Sequence, residues 1–197
     1  MSIVDRAKNI LLSPKTEWPV IAAEPASTGS LMTYAAILSL IPLIGSILSA
    51  VAFAGALGLN FVLTTAIAGY LVGLGVIFVM GIIAGALAPS FDGTNAANAG
   101  LKLIVYASTP VWVLGILNIV PGLNMIAALV GLVYGIYLIY VGSGPVTAVP
   151  EAKAGGYTAV VVVIWILLSL FISMLIVGAL VSAVVGGAAV SGAMMTS

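Results

Sequence analysis

The sequence lacks cysteine and histidine altogether, and charged residues are scarce. Without cysteine and histidine the chain has no thiol nucleophile, disulfide or imidazole base, and no thiolate or imidazole ligand for zinc, haem or iron–sulfur clusters. Only 5% of the 197 residues are charged, whereas soluble domains carry roughly 25%. Five basic and five acidic residues give a net charge of zero, which argues against electrostatic binding of nucleic acid.

Little remains from which an active site could be built. The available groups are five carboxylates, some hydroxyls and seven tyrosines. Asp92 and Glu151 are predicted to be loop carboxylates, but no sequence feature brings them together. We therefore expect a protein that is not an enzyme and that has no catalytic residues, no cofactor and no metal site.

Apolar residues are what the chain has in excess, at 63% of the total, against about 45–50% in soluble proteins. A soluble fold could not bury this much apolar surface, so the surrounding solvent must be lipid. A helix needs about 20 residues to cross a bilayer, and the runs between charged residues reach that length. We predict an all-α, polytopic membrane protein with five transmembrane helices, over residues of about 31–55, 61–87, 100–120, 125–141 and 157–185.

The charged residues lie in three places, and their positions predict the orientation. They fall in the first 24 residues, in and just after the polar loop 90–98, and in the Gly/Pro-rich loop 142–156. If the N-terminus is cytoplasmic, all five Lys and Arg residues lie on the cytoplasmic side, as the positive-inside rule requires. We therefore expect a cytoplasmic N-terminal interfacial segment (1–30), a transmembrane domain (31–185) and a short C-terminal tail (186–197) outside.

The N-terminal segment carries a helical apolar pattern of its own. Apolar residues recur at helical spacing between residues 3 and 11, with charged residues on the other faces, which is typical of an interfacial helix. Ser13–Pro14 is expected to end this helix, and Trp18 suits the headgroup level. Two interpretations stay open, namely a plain membrane-surface anchor and a docking surface for a cytosolic partner.

Two prolines interrupt predicted spans at similar depth. Pro42 and Pro110 each lie about ten residues into a span, and each removes a backbone donor and kinks its helix. Tyr106, Ser108 and Thr109 lie within the turn before Pro110 and are candidates to satisfy the freed carbonyl. Broken helices line binding sites in transporters, so the pattern fits either a polar cavity or a structural kink.

Pairs of glycines four residues apart predict close helix packing. They are Gly69/Gly73, Gly81/Gly85 and Gly131/Gly135. Packing within one chain and a seam between copies in a homo-oligomer are both compatible with this spacing.

Four stretches together resemble a known family. They are SPKTEWPVIAAE (13–24), the loop at 91–93, VYASTPVW (105–112) and YGIYLIYVG (134–142). In this order they resemble the YIP family of Ypt/Rab-interacting membrane proteins, and specifically its short prokaryotic members. The resemblance implies five spans with the N-terminus inside, in a multi-pass protein of the cytoplasmic (inner) membrane of a prokaryote.

The chain differs from the eukaryotic members of the family, and this limits which of their properties the resemblance implies for it. Eukaryotic relatives bind prenylated Rab-type GTPases and act in traffic between the endoplasmic reticulum and the Golgi. Only about 30 residues precede the first predicted span here, and the eukaryotic Asp-Leu-Tyr-Gly-Pro motif has no clear counterpart. A Rab partner is therefore not carried over to this chain.

The leading hypothesis is a non-enzymatic scaffold or adaptor in membrane organisation or trafficking. Its expected partners are membrane lipid, a protein on the cytoplasmic face and, as a further alternative, copies of itself. The residues predicted to contact a partner are Glu17, Trp18, Phe91 and Asp92.

Two rival hypotheses stay open. One is a transporter or channel for a small or lipidic solute, lined near Tyr106, Ser108, Thr109 and the kinks at Pro42 and Pro110. An ionisable residue at mid-span is common in pumps and carriers, and none is predicted here. The other rival is a protein that shapes the bilayer without a partner.

Overall fold

The computed structural model describes residues 1–53, 59–120 and 122–195. This part of the chain is helical, and no strand occurs in it. The helices are α1 (Ile3–Leu12), α2 (Pro14–Ala23), α3 (Thr28–Phe53), α4 (Leu59–Leu87), α5 (Ala99–Ala107), α6 (Thr109–Leu114), α7 (Leu123–Thr147) and α8 (Glu151–Met195). Short 3₁₀ turns follow α4 at Ala88–Phe91 and α6 at Gly115–Ile119.

Five stretches are long and apolar enough to cross a membrane, which confirms the predicted fold class. They are Thr28–Ala52, Val62–Phe91, Ala99–Ile119, Leu123–Thr147 and Glu151–Ile176. The third is composite, because α5, α6 and a 3₁₀ turn together make up its length. The predicted end of the first span at Gly55, residues 57 and 58 of the next turn, and Pro121 of the turn at 118–124 lie outside the described residues.

The Gly/Pro-rich stretch at 142–156 is mostly helical, so its prediction as a loop is wrong. Only residues 148–150 separate α7 from α8. Pro145 is accommodated inside α7, and the carbonyl of Pro150 accepts the first hydrogen bonds of α8. The negative charge of Glu151, in the first turn of α8, interacts favourably with the positive end of the helix dipole. At the other end, the predicted tail is helical as far as Met195.

The chain divides into two compact units, Met1–Val161 and Val162–Ser197. The second unit consists, in its described part, of the remainder of α8. In the first unit the third span is the central one. Within its most apolar window 67% of residues are buried, against 17–33% for the spans of α3, α4 and α7. The other helices of this unit therefore surround α5 and α6.

Glycines make the crossing of α4 and α5 unusually close. A Cβ atom placed on Gly100 would lie 2.2 Å from the carbonyl oxygen of Gly81 and 2.2 Å from the nitrogen of Gly85. These two glycines form one of the predicted pairs, which is thereby used for packing within the chain. Gly69 and Gly73 have no atom within 4 Å of such a Cβ, and a seam between copies there stays a prediction.

Candidate functional site

The N-terminal hairpin, defined as α1 and α2 together, packs on the other helices of the first unit. Ile10 and Trp18 are fully buried, and Ile21 is almost so. The Tyr134 hydroxyl of α7 donates a hydrogen bond to the carbonyl of Leu11, with 2.7 Å between the oxygens. The apolar face that was expected to lie on lipid therefore lies on the protein's own helices. The predicted helix end at Ser13 is confirmed, because α1 stops at Leu12.

A buried cation organises the hairpin. The Arg6 guanidinium is ion-paired through one nitrogen with Glu17 and through the other with Glu24. Arg6 and Glu17 are only 5% and 6% exposed. Burial opposes the charged form of Arg6, but the hydrogen bond to Glu24 and the negative charges of both carboxylates outweigh it and raise the pKa of Arg6. The guanidinium therefore stays charged, and it lies 5.8 Å from the centre of the Tyr106 ring.

Lys102 of α5 binds the carboxyl end of α2. Its ammonium nitrogen lies 2.6 Å from the carbonyl oxygen of Glu24, 3.1 Å from that of Ile21 and 3.3 Å from that of Ala22. Carbonyls in the last turn of a helix have no partner within the helix, and a cation there also favours the helix dipole. Lys102 is therefore an internal cation, and it is only 7% exposed.

We predict that Lys102→Met weakens the attachment of α2. Loss of these hydrogen bonds from a charged donor leaves carbonyls unpaired at a buried site, at a cost of about 1.5–3 kcal/mol. The midpoint of thermal unfolding in detergent measures the effect. Lys153→Met is the matched control, because that exposed lysine forms only a surface ion pair, which contributes about 1 kcal/mol or less. Equal shifts in the two variants would contradict the assignment.

The three charged regions meet at one end of the first unit. Asp92, which follows α4 and its 3₁₀ turn, and Lys153, in the first turn of α8, are ion-paired at 2.5 Å. The side-chain nitrogen of Asn98 donates to the carbonyl of Ala26, 2.9 Å away, and Lys102 joins α5 to α2 as described. All five cations of the sequence therefore belong to segments at the same end of the helices.

An aromatic cluster lies beside the buried ion pairs. The Tyr106 ring packs edge-on against Tyr34, with centroids 4.9 Å apart, and against Trp18 at 6.5 Å. Tyr34 also contacts Trp112 at 6.4 Å, and its hydroxyl shares a hydrogen bond of 2.9 Å with the Thr109 hydroxyl. The structure thus brings together Trp18, Tyr106 and Thr109, which were predicted for separate roles, around Tyr34, which the sequence reasoning missed.

The two predicted proline interruptions have different outcomes. The third span breaks at Ser108, just before Pro110, whereas α3 continues through Pro42. The Ser108 hydroxyl donates a hydrogen bond to the carbonyl oxygen four residues earlier, which is 2.7 Å away. Thr109 is fully buried. Pro42 lies against Gly115, where an added Cβ would come within 2.5 Å of the proline. These hydroxyls are engaged inside the protein, which favours a structural kink over a polar cavity.

The four residues predicted for partner contact fall into two groups. Glu17 and Trp18 are buried in the hairpin and offer almost no surface. Phe91 is half-buried, with its ring centroid 5.7 Å from that of Tyr157, and Asp92 is exposed. Partner contact itself stays a prediction, and Phe91 and Asp92 are the members of the set that present surface for it.

The charged groups at this end of the molecule are mostly paired with one another. Among the described residues, no group of three or more acidic side chains is arranged to hold a metal ion. The buried acid Glu17 is paired with a cation, and the exposed loops carry charge of both signs. The arrangement positions helices and presents a polar surface.

A comparison with protein families finds a family model that matches most of the chain. The family model described as Yip1 domain matches residues 8–174. The match begins two residues after Arg6 and runs into α8, so it includes Glu17 and both sides of the contact between Lys102 and α2. No curated protein and no solved structure matches the chain.

Proposed function

The chain is a membrane protein of the Yip1 domain family, and on this premise we propose that it is a scaffold or adaptor that acts without catalysis. The observation that carries the proposal is the placement of its charges. Those buried in the first unit are satisfied inside it, since Arg6 and Glu17 pair with each other and Lys102 binds backbone carbonyls. Those left on the surface include the two loops at one end, where a soluble protein can reach them.

The loop 92–97 and the start of α8 at 150–153 form a surface that we call the loop platform. Asp92 and Lys153 connect its two halves at 2.5 Å. The backbone N–H of Thr94 donates to the carbonyl of Thr147, 2.7 Å away, and Asp92 itself adopts a left-handed backbone conformation with φ 61°. A partner would therefore meet a preformed surface with little ordering cost.

The orientation and location are part of the same proposal. With all five cations at one end, the positive-inside rule places the loop platform and the N-terminal hairpin in the cytoplasm. The resemblance to prokaryotic members of the family supports the cytoplasmic (inner) membrane of a prokaryote as the proposed location. Gly69 and Gly73, which have no neighbour within 4 Å of an added Cβ, are the positions where a homo-oligomer would allow close helix approach.

Photo-crosslinking in the source membrane tests the adaptor proposal. A photoreactive residue at Asn95 of the loop platform is expected to capture one discrete protein. The same residue at Met125, which is 70% exposed at the start of α7, is expected to capture lipid. Absence of any protein adduct from several platform positions would refute the adaptor proposal.

The charge-reversal variant Asp92→Lys sharpens the test. It replaces an ion pair by two like charges, and such contacts cost several kcal/mol at an interface. We expect the yield of the Asn95 adduct to fall about tenfold or more. The double variant D92K/K153D restores an ion pair and serves as the control for folding of the loop. An unchanged yield in Asp92→Lys would remove Asp92 from the contact surface.

The two rival functions are outcomes of one further measurement. Reconstituted liposomes that pass a small solute, with flux abolished by Tyr106→Phe combined with Thr109→Val, would favour a transporter. Liposomes that change size or curvature on reconstitution without any partner would favour a bilayer-shaping protein. The adaptor proposal expects neither result.

A further inference from the structure

Two of the five cations have no internal partner. Arg6 and Lys153 are ion-paired, and Lys102 binds backbone carbonyls. Within the described part of the chain, Lys8 and Lys15 form neither an ion pair nor a side-chain hydrogen bond, and both are exposed. Both belong to the N-terminal hairpin, whose other exposed charges are the Asp5 carboxylate, hydrogen-bonded to the Ser2 hydroxyl, and the half-exposed Glu24 carboxylate, paired with Arg6.

Exposed apolar side chains flank Lys8 on both sides. Val4 and Leu12 lie four residues before and after it, hence on the same face of α1, and they are 74% and 72% exposed. The opposite face of the helix is the packed one, where Ile10 is fully buried. The outer face of α1 therefore alternates apolar, cationic and apolar groups along the helix.

Lys15 lies where a second source of positive potential occurs. It stands in the first turn of α2, a helix of 10 residues whose N-cap Ser13 makes no capping hydrogen bond with its side chain. Pro14 has no N–H, and Thr16 and Glu17 donate theirs to the Ser13 carbonyl, so the positive potential at this turn comes from the helix dipole and from Lys15 itself. The one acidic residue of that turn, Glu17, is already paired with Arg6.

We propose that this outer surface, Val4, Lys8, Leu12 and Lys15, is a binding site for an anionic phospholipid of the adjacent leaflet. The two ammonium groups bind the headgroup phosphate, and Val4 and Leu12 contact the acyl chain next to it. We call this set the lipid face.

A lipid fits the lipid face better than a soluble acidic partner does. The inner face of the hairpin packs on helices that belong to membrane spans, as the bond from Tyr134 to Leu11 shows. The proposal places the lipid face where acyl chains and headgroups meet, as in other interfacial helices. An acidic protein would match the lysines but leave Val4 and Leu12 in water, and a zwitterionic lipid would leave the two cations uncompensated.

Native mass spectrometry of the full chain tests the site. The protein is extracted into micelles that contain equal amounts of phosphatidylglycerol and phosphatidylcholine with the same acyl chains. We expect the wild type to retain phosphatidylglycerol preferentially. Each lysine near an anionic surface contributes about a fivefold preference, so Lys8→Gln and Lys15→Gln should each lower the retained ratio about fivefold. Lys153→Gln is the matched control, because Lys153 is also exposed but already paired.

The outcomes separate the alternatives. A retained ratio in K8Q/K15Q equal to that in Lys153→Gln would overturn the proposal. Displacement of the lipid by millimolar inorganic phosphate would make the site a phosphate site and would also overturn it. Leu12→Ser is expected to lower retention of both lipids, because it removes the acyl contact alone. The single variants change exposed residues, so the test holds even if the double variant folds poorly. It is independent of the adaptor proposal, since it involves no protein partner.

Discussion

We expect Arg6→Met to destabilise the docked N-terminal hairpin by about 3–5 kcal/mol, the cost of removing one partner of a buried ion pair. The Glu17 carboxylate, 6% exposed and hydrogen-bonded to the guanidinium, would lose its cation. Methionine keeps an apolar stem similar to that of arginine, so the loss reports the charge. The midpoint of thermal unfolding and the rate of tryptic cleavage after Lys8 and Lys15 measure the effect.

Two further variants identify the cause of this loss. The double variant R6M/E17M removes both buried charges and should recover most of the lost stability, because apolar replacements of a buried pair are often neutral. Glu24→Gln should cost much less than Arg6→Met, since that side chain is 48% exposed and solvent screens it. If R6M/E17M is as unstable as Arg6→Met alone, packing of the arginine stem matters more than its charge.

Gly100→Ala should have an effect of similar size at the crossing of α4 and α5. The added methyl group would lie 2.2 Å from backbone atoms of Gly81 and Gly85. No side chain can rotate away from such a contact, so the two helices must separate. Overpacking costs about 1–3 kcal/mol where neighbours adjust, and we expect a loss of about 3 kcal/mol or more here. The unfolding midpoint and the fraction that elutes as a single species on size exclusion provide the measurement.

Gly73→Ala is the control for this variant. It adds the same methyl group to α4 at a position with nothing within 4 Å, and alanine favours a helix over glycine by about 0.8–1 kcal/mol. We expect its stability to be equal to that of the wild type or slightly higher. A loss equal to that of Gly100→Ala would show that the close crossing is not the cause. A change in oligomeric state in Gly73→Ala alone would place a seam between copies along this face.

The parts of the fold that depend on local sequence could be predicted. The spans follow from apolar runs between sparse charges, because a bilayer excludes any unpaired backbone over that length. The break in the third span follows from the missing N–H of Pro110, and α5 indeed stops at Ala107. The prediction of a loop at 142–156 was wrong because it relied on the glycine and proline content of that stretch alone. Pro145 lies inside α7, and only residues 148–150 remain outside helices.

The candidate site could not be assembled in the same way, since its contacts join distant parts of the chain. Arg6 pairs with residues 11 and 18 positions away, and Lys102 reaches the Glu24 carbonyl across 78 positions. Most helices are apolar on all faces, so no stripe in their sequence marks the packed side. One signal was present, namely the balance of three acidic and three basic residues in the first 24. Such a balance is typical of charges that pair among themselves.

The docking of the hairpin also sets an order of events during biosynthesis. The carbonyl of Leu11 is bound by Tyr134, which lies 123 residues later in the chain, and a ribosome adding about 5–20 residues per second needs roughly 6–25 s to reach it. The Leu11–Tyr134 bond therefore forms only after α7 has arrived, whereas Arg6 and Glu17 pair within the first 24 residues. Docking of the hairpin on α7 is a late step of assembly, and a docked hairpin marks a chain whose fourth span is already in place.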